Sequence, residues 1–194
     1  MTTTSQTTAP TGTQTTQPTT GTWRLDPSHT VLGFSAKHAM VSKVRGSFGV
    51  FEGELVLDGD NPADSRAHVV VDTSSIDSGS EQRDGHLRSP EFLDVEQFPR
   101  MVFESTQVRQ VSAEVFEMVG DLTIKHVTRP LTIKAELQGV SQDPWGATKI
   151  GFEGAASFSR KDFGLTWNVA LEAGGVLVGD TVTLTLDVEA DRVV

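Results

Sequence analysis

Cysteine is absent from this chain of 194 residues. Its absence excludes disulfide bonds, thiolate nucleophiles and cysteine-ligated zinc or iron–sulfur centres. The sequence also lacks a G-x-S-x-G nucleophile elbow and a G-x-x-x-x-G-K-[ST] phosphate loop. No motif therefore indicates an enzyme, and we predict no catalytic residues and no cofactor.

Histidine is sparse, and its spacing does not indicate a metal site. No pair follows the H-x-H or H-x-x-x-H spacing, and H-E-x-x-H does not occur. We therefore predict no bound metal. The five histidines are His29, His38, His68, His86 and His126.

Basic residues are in the minority, with 16 Lys and Arg against 26 Asp and Glu and a net charge of −10. Such a chain repels phosphate backbones and anionic membrane surfaces as a whole, so we expect no nucleic-acid partner. No apolar run is long enough for a spanning helix, and we expect no stable membrane insertion. Residues 1–21 lack the positive charge and apolar stretch of an export signal, which predicts a cytoplasmic location.

Residues 1–21 consist almost wholly of Thr, Gln, Pro, Gly and Ser, with no large aliphatic residue after Met1. This segment cannot bury enough apolar surface to offset its ordering entropy. We predict a disordered tail over residues 1–21 and a single domain over residues 22–194. A glycosylated, mucin-like stalk is the alternative interpretation of the tail.

Two-residue alternation of apolar and polar side chains dominates the rest of the chain. It is clearest over residues 116–124, 131–138, 150–159 and 181–188, and weaker over residues 31–36, 48–58, 67–72 and 101–107. About eight strands with one apolar face predict an all-β, antiparallel domain, closed as a barrel or stacked as a sandwich. Turn signals separate the strands, among them Arg129-Pro130.

One or two short helices interrupt this pattern. Ser78 and Glu81 have the spacing of a capping box and predict a helix over residues 82–88 that ends before Pro90. A second short helix is predicted over residues 37–44. The charged cluster at residues 81–88 is either a solvated helix face or a polar rim for a ligand. Residues 159–168 are predicted to form a corner in which Phe163 and Trp167 are buried, with the roles of Arg160 and Asp162 open.

The apolar face of the strands is unusually rich in phenylalanine, with ten Phe and no Tyr. An interior lined by such side chains carries no hydroxyl that needs a partner. A barrel of about eight strands either fills with side chains or holds one small ligand. The residues alone leave both outcomes open.

Several longer motifs resemble those of the YceI-like family. They are WRLDPSHT from Trp23, FSAKHAMVSKVRGSF from Phe34, SSIDSGSEQRDGHLRSPEFLDVEQFP from Ser74, GDLTIKHVTRPLT from Gly120, RKDFGLTWN from Arg160 and LVGDTV from Leu177. The resemblance extends from Trp23 to about Ala190. It implies an extended, lipocalin-like antiparallel β-barrel, which favours the barrel over the sandwich.

The resemblance also implies a function. The barrel would bind a polyprenyl or isoprenoid-quinone lipid in its lumen for transport, storage or sequestration, as a non-enzymatic protein and often as a homodimer. Many relatives carry an export signal, which this sequence does not show. Two alternatives remain: an enzyme acting on an isoprenoid or quinone substrate, and a packed structural or stress-related barrel without a ligand.

The candidate ligand-binding residues form two groups. The predicted lumen wall consists of Phe34, Phe48, Phe51, Phe103, Met118, Leu122, Ile133, Phe152 and Phe158. The residues predicted to contact the head group at the mouth are His38, Arg45, His86 and Arg88.

Overall fold

A computed structural model describes residues 19–172 and 174–193 of the chain. The predicted tail lies outside the described residues as far as residue 18, and its last residue, Gly21, begins the first strand. The strands are β1 (Gly21–Leu25), β2 (Val31–His38), β3 (Ser42–Phe48), β4 (Phe51–Leu57), β5 (Arg66–Asp72), β6 (Ile76–Asp77), β7 (Arg100–Gln110), β8 (Val115–Ile124), β9 (Val127–Gln142), β10 (Thr148–Ser159) and β11 (Val178–Arg192). The helix α1 spans Glu81–Arg88, and short 3-10 turns span Pro62–Asp64, Thr73–Ser75 and Arg160–Phe163.

The strands close into one antiparallel barrel. Strands β1 and β2 follow each other as one long strand with a bend, and so do β3 and β4, because β1 pairs with β4 and β2 pairs with β3. Strands β5 and β6 form a third bent strand, which pairs with β4 and β3. Strands β7 to β11 follow as a meander, and β11 returns to pair with both β1 and β2. Sequence neighbours are therefore spatial neighbours throughout, and the predicted eight-stranded, lipocalin-like barrel is confirmed.

The two ends of the barrel differ in what covers them. The helix end carries α1, the β2–β3 turn and residues 160–177. The turn end carries the connections at residues 58–65, 111–114 and 143–147. Within the described ranges, no helix has the length and apolar character that crossing a bilayer requires.

The bend between β1 and β2 is fixed by a threonine that replaces missing strand pairing. The Thr30 hydroxyl donates to the Glu189 carbonyl (2.9 Å) and accepts from the Glu189 amide (3.0 Å). The hydroxyl thereby satisfies the backbone amide and carbonyl of Glu189 in β11, at the point where the first strand leaves the sheet. Part of the WRLDPSHT motif is thus explained by barrel construction.

The predicted second helix over residues 37–44 is wrong, because these residues form the hairpin between β2 and β3. The inward face of β3 contains Val44, Gly46 and Phe48, and the glycine hides the apolar alternation. The position is glycine because the Phe34 ring lies where a side chain would be: a Cβ on Gly46 would meet Phe34 Cζ at 2.6 Å. The aromatic ring of one strand fills the gap in its neighbour.

The predicted helix at residues 82–88 is confirmed as α1, but its cap differs from the expected one. Glu81 does not cap; the Asp84 carboxylate accepts from the Ser78 amide (3.0 Å) and from the Ser78 hydroxyl. Arg83 donates to the Ser78 hydroxyl and carbonyl (2.7 Å each). These bonds fasten the start of α1 to the segment that follows β6.

The interior packs as two hydrophobic clusters, one nearer each end. Met118 and Val71 contact both clusters, so the two are continuous along the wall. The helix-end cluster contains Ile76, Leu93, Met101, Phe103, Leu122, Ile124, Leu131, Ile133, Phe163 and Leu165. The turn-end cluster contains Trp23, Leu25, Phe51, Leu55, Ala67, Ile150 and Ala190.

Candidate functional site

An elongated cavity of about 450 Å³ occupies the barrel lumen. Its wall extends from Leu57 and Phe116 near the turn end to Leu165 and Val178 at the helix end. A barrel filled completely by side chains would leave no such space, so the cavity argues against the packed-barrel alternative. The wall is apolar along its length, with polar groups mainly near the two ends.

Eight of the nine residues predicted for the lumen wall line this cavity. Five of them point inward and yet keep accessible surface, because that surface faces the void rather than another side chain. These five are Phe34, Phe48, Met118, Phe152 and Phe158. Phe103, Leu122 and Ile133 are buried more completely behind them. The placement is a structural finding, and their role in ligand binding stays a prediction.

Phe51 does not line the cavity. It is buried in the turn-end cluster with Trp23 and Leu55, immediately after the bend that separates β3 from β4. It faces inward as predicted, but its ring packs against other core side chains. We therefore assign it to the core rather than to the lumen surface.

The predicted lumen wall included no residue from β11, although the sequence pattern identified the strand. Leu184 and Leu186 line the cavity opposite Phe34 and Leu32, their partners in the register with β2. The signal was present, because both residues lie on the alternating apolar face. Further wall residues left out of the prediction are Leu32, Val69, Val71, Val108, Phe116, Leu137, Val182 and Val188.

A second chamber of about 500 Å³ lies at the helix end. It shares Phe34, Leu87 and Phe92 with the lumen wall, so these side chains stand at the junction of the two spaces. Polar side chains enter this chamber, including those of His38 and His86. The two predicted head-group histidines thus reach one space, although they come from a hairpin and from α1.

His86 is held in a defined orientation within the chamber. Its Nε2 atom lies 2.7 Å from a carboxylate oxygen of Glu91. Its ring packs edge-on against Trp167 (4.5 Å between centroids) and Phe92 (5.0 Å). Trp167 therefore borders the chamber, whereas the sequence predicted only that it is buried in a corner.

The structure does not bring Arg45 and Arg88 to either cavity. Arg45 is exposed on the outer face of β3, because the alternation that turns Val44 inward turns its neighbour outward. Arg88 donates from Nε to the Ser74 carbonyl (2.8 Å) and from Nη2 to the Ile76 carbonyl (2.7 Å). Its guanidinium group fastens α1 to the strand segment and is not available to a head group.

Arg160 is the charged residue that the helix end buries most completely, with 2% of its surface exposed. Its guanidinium group donates to the carbonyls of Trp167 (2.9 Å) and Gly179 (3.0 Å), and also to those of Leu165 and Val178. Burial lowers the pKa of Arg160, although an arginine stays protonated under all working conditions. The side chain thus organises the loop that closes this end.

A group of ionisable side chains lies outside the barrel, at the bend between β1 and β2. The Lys149 ammonium group contacts carboxylates of Asp191 (2.7 Å), Glu189 (2.9 Å) and Asp26 (3.2 Å). His29 Nδ1 lies 2.8 Å from the same Asp26 carboxylate. Asp26, His29 and Glu189 have a spacing that a metal ion can use. The Lys149 ammonium group already lies between the carboxylates of Asp26 and Glu189. We therefore interpret the group as an ion-pair network rather than a metal site.

The protonation of this network follows from its hydrogen bonds. Bonds from Ser28 and His29 hold the pKa of Asp26 well below its usual range. The bond to Asp26 raises the pKa of His29, and the bond to Asp191 raises the pKa of Lys149. Each charged form is therefore stabilised by the folded arrangement.

Comparison with known proteins places this architecture in a family. The model of the YceI-like domain family matches residues 23–190, which is nearly all of the barrel. A UPF0312 protein of Yersinia enterocolitica, YE1254, is 42% identical over 138 residues, which are 71% of each chain.

Solved structures share the fold. The structure of Burkholderia cenocepacia BcnA is similar with a TM-score of 0.72 at 21% identity, covering 85% of this chain and 98% of that one. A domain of Saccharophagus degradans, described as polyisoprenoid binding and implicated in plant cell wall breakdown, gives a TM-score of 0.67 at 14% identity, covering 88% and 98%. The matched residues, the Yersinia relative and the closed barrel together show that this chain belongs to the YceI-like family.

Proposed function

We propose that this protein binds one long-chain isoprenoid lipid in the lumen of its barrel and carries, stores or sequesters it. The observation that supports the proposal is the continuous apolar cavity, which extends from one end of the barrel to the other. The Saccharophagus domain, described as polyisoprenoid binding, has the same fold and supports a ligand of this class.

The length of the lumen suits an extended chain. Wall residues on β11 run from Val178 to Val188. At about 3.3 Å per residue and a strand tilt of about 40°, this stretch covers roughly 25 Å along the barrel axis. A branched hydrocarbon several isoprene units long fits such a space, whereas a compact ligand would leave most of it empty.

The hydrophobic effect supplies the affinity. A chain of this size removes several hundred Å² of apolar surface from water, which at about 25 cal/mol per Å² is worth on the order of 10 kcal/mol. Association and ordering reduce that gain. The mixture of flat phenylalanine rings and flexible Met118 in the wall suits a methyl-branched chain.

The helix end is the proposed position of the head group. The second chamber provides the ring nitrogens of His38 and, since Glu91 occupies Nε2, the Nδ1 atom of His86, next to the Trp167 ring. These groups suit an oxygen-bearing ring such as a quinone, whose carbonyls accept hydrogen bonds and whose plane packs on aromatic residues. The quinone head group and the homodimer implied by the resemblance stay predictions.

The enzyme alternative expects a histidine in the lumen beside a carboxylate. The His86–Glu91 pair lies in the chamber at the helix end, and the Glu91 side chain is 57% exposed. A pair so open to water suits recognition of a polar group at the mouth better than chemistry on a buried chain. We therefore propose binding without catalysis.

Lipid analysis tests this function. Protein from its own host is examined by native mass spectrometry and by organic extraction, and delipidated protein is then offered polyprenyl compounds. We expect a co-purifying isoprenoid and a one-to-one complex on re-addition. Protein that repeatedly contains no lipid and takes up no polyprenyl compound contradicts the proposal.

A further inference from the structure

The hairpin between β2 and β3 exposes apolar side chains at the helix end. We call residues 39–41 the hairpin tip. Met40 is 50% exposed and Val41 is 87% exposed, so the largest side chains of the tip face water. The tip lies beside the second chamber, whose wall includes His38 and Val44 from the same hairpin.

The tip has a backbone that its residues do not favour. Ala39 and Met40 have φ angles of 47° and 61°, and the Val41 amide donates to the His38 carbonyl (3.2 Å). The three-residue connection thus contains a turn whose two central residues are left-handed, a conformation that favours Asn and Gly. The same turn would form more easily with polar residues, so the fold itself does not require an apolar tip.

Three cations, which we call the collar, lie behind the tip on the outer face of the hairpin. Lys37 and Lys43 lie directly opposite each other across the hairpin, and Arg45 follows on the same outer face opposite Ser35. Like charges in directly opposed positions destabilise a hairpin. In the residues that the structure describes, none of the three cations has a carboxylate within ion-pair distance.

The neighbouring sequence reinforces this local charge. No acidic residue occurs between Asp26 and Glu52, and residues 163–179 contain only Glu172. Asp180, on the adjacent strand β11, pairs with Lys161 (2.8 Å) and with Arg160 (3.4 Å). A chain of net charge −10 therefore concentrates uncompensated positive charge around its most exposed apolar side chains at this end.

We propose that the hairpin tip docks the protein on an anionic phospholipid bilayer. Met40 and Val41 enter the boundary between head groups and acyl chains, and the three collar cations contact the lipid phosphates. This is peripheral docking and involves no membrane-spanning segment. It places the second chamber at the bilayer surface, and it does not depend on what the lumen contains.

Vesicle flotation of the full chain tests the docking. Vesicles of phosphatidylcholine with phosphatidylglycerol are compared with vesicles of phosphatidylcholine alone, in about 0.1 M salt, where the Debye length of about 10 Å screens the distant acidic residues. We expect binding to the mixed vesicles that falls as salt is raised. Binding that is absent, or equal on both vesicles, overturns the proposal.

Two variants separate the charged and apolar contributions. Lys37→Gln/Lys43→Gln/Arg45→Gln should weaken partitioning on the order of 100-fold, since each cation near an anionic surface is worth about fivefold. Met40→Ser/Val41→Ser should weaken it about tenfold through lost apolar contact. A triple variant with vesicle affinity equal to that of the wild type contradicts the electrostatic part.

Matched controls keep the test specific. Arg24→Gln/Arg109→Gln/Lys134→Gln changes the net charge equally on exposed strand positions elsewhere, and Trp145→Ser removes an apolar side chain that is 89% exposed at the turn end. Both should bind vesicles like the wild type. Light scattering without lipid is the second readout: if the tip variants change the oligomeric state and leave vesicle binding intact, the occupant is a second copy of the chain and the proposal is wrong. Unfolding curves for all variants exclude a folding defect as the cause.

Discussion

Replacing Arg160 by methionine should destabilise the barrel far more than a charge change on the protein surface does. The substitution keeps the apolar length of the side chain and removes only the guanidinium group. The variant leaves four carbonyls without their donor at a buried site, since Arg160 is only 2% exposed. These are the carbonyls of Leu165, Trp167, Val178 and Gly179. Each bond to a charged donor is worth about 1.5–3 kcal/mol, but burying the guanidinium group also has a desolvation cost that the variant avoids. We expect a net loss of about 3–4 kcal/mol in the free energy of unfolding.

The assay is urea denaturation of both the variant and a matched control, Lys161→Met. Lys161 is the next residue and pairs with the same carboxylate, on Asp180, but its side chain is 51% exposed. A pair so exposed contributes less than about 1 kcal/mol. Hydrogen exchange should also become faster over residues 163–172 in Arg160→Met and stay unchanged in Lys161→Met. Equal losses of stability in the two variants would refute the role assigned to Arg160.

Two further predictions concern the barrel scaffold. His29→Gln should lower the free energy of unfolding at pH 5 and have little effect at pH 9. The pKa of His29 is raised in the folded state, so the imidazole contributes fully to stability below its unfolded-state pKa of about 6.5. This stabilisation is lost as the pH rises through the pKa of the folded state. Denaturation across this pH range checks it, and a stability difference that grows with pH contradicts it. Gly46→Ala should cost about 1–3 kcal/mol, because the new Cβ would meet the Asp77 carbonyl at 2.5 Å and the Phe34 ring at 2.6 Å. Gly85→Ala, in α1 with open space around it, should instead stabilise by about 0.5–1 kcal/mol; thermal unfolding compares the two, and the same sign for both would be the contrary result.

Period-two alternation predicted the barrel strands where at least four apolar side chains recur on the inward face. It identified β8 and β10 to within two residues of their ends, although Gly120 and Gly154 interrupt their inward faces, and it identified the middle of β11. It failed at β3, whose short inward face has only Val44 and Phe48 beside Gly46, and at the Ala39–Met40 turn, which lacks the usual Asn or Gly. The information needed there is tertiary.

The Arg129-Pro130 turn shows a different kind of failure. Pro130 lies within β9, opposite Asp121 of β8, and the chain reverses earlier, at Lys125, whose φ angle is 56°. Proline was interpreted as a strand breaker, but its missing amide removes only one bond from the ladder. The local sequence signal was real, and its position was shifted by several residues.

In the candidate site, too, some residues could be predicted from local alternation and others depend on tertiary contacts. The lumen wall was predictable, because side chains that alternate inward on a closed sheet must face the lumen. The mouth was not, because Arg45 and Arg88 were selected by charge alone, without the face of the strand or the carbonyls around them. Arg160 is likewise recognisable only when its acceptors, which lie 5 to 19 residues away, come together in the fold.

The most direct test of a lipid-binding lumen is a pair of tryptophan substitutions at adjacent positions of β11. Leu184 lines the cavity, whereas Thr185 faces outward and is exposed. Leu184→Trp inserts an indole ring into the lumen and should weaken uptake of a polyprenyl compound at least tenfold, because excluding even two methylene groups costs about 1.6 kcal/mol. The account predicts that Thr185→Trp binds like the wild type. Equal affinity of the two variants for the lipid would contradict binding inside the barrel.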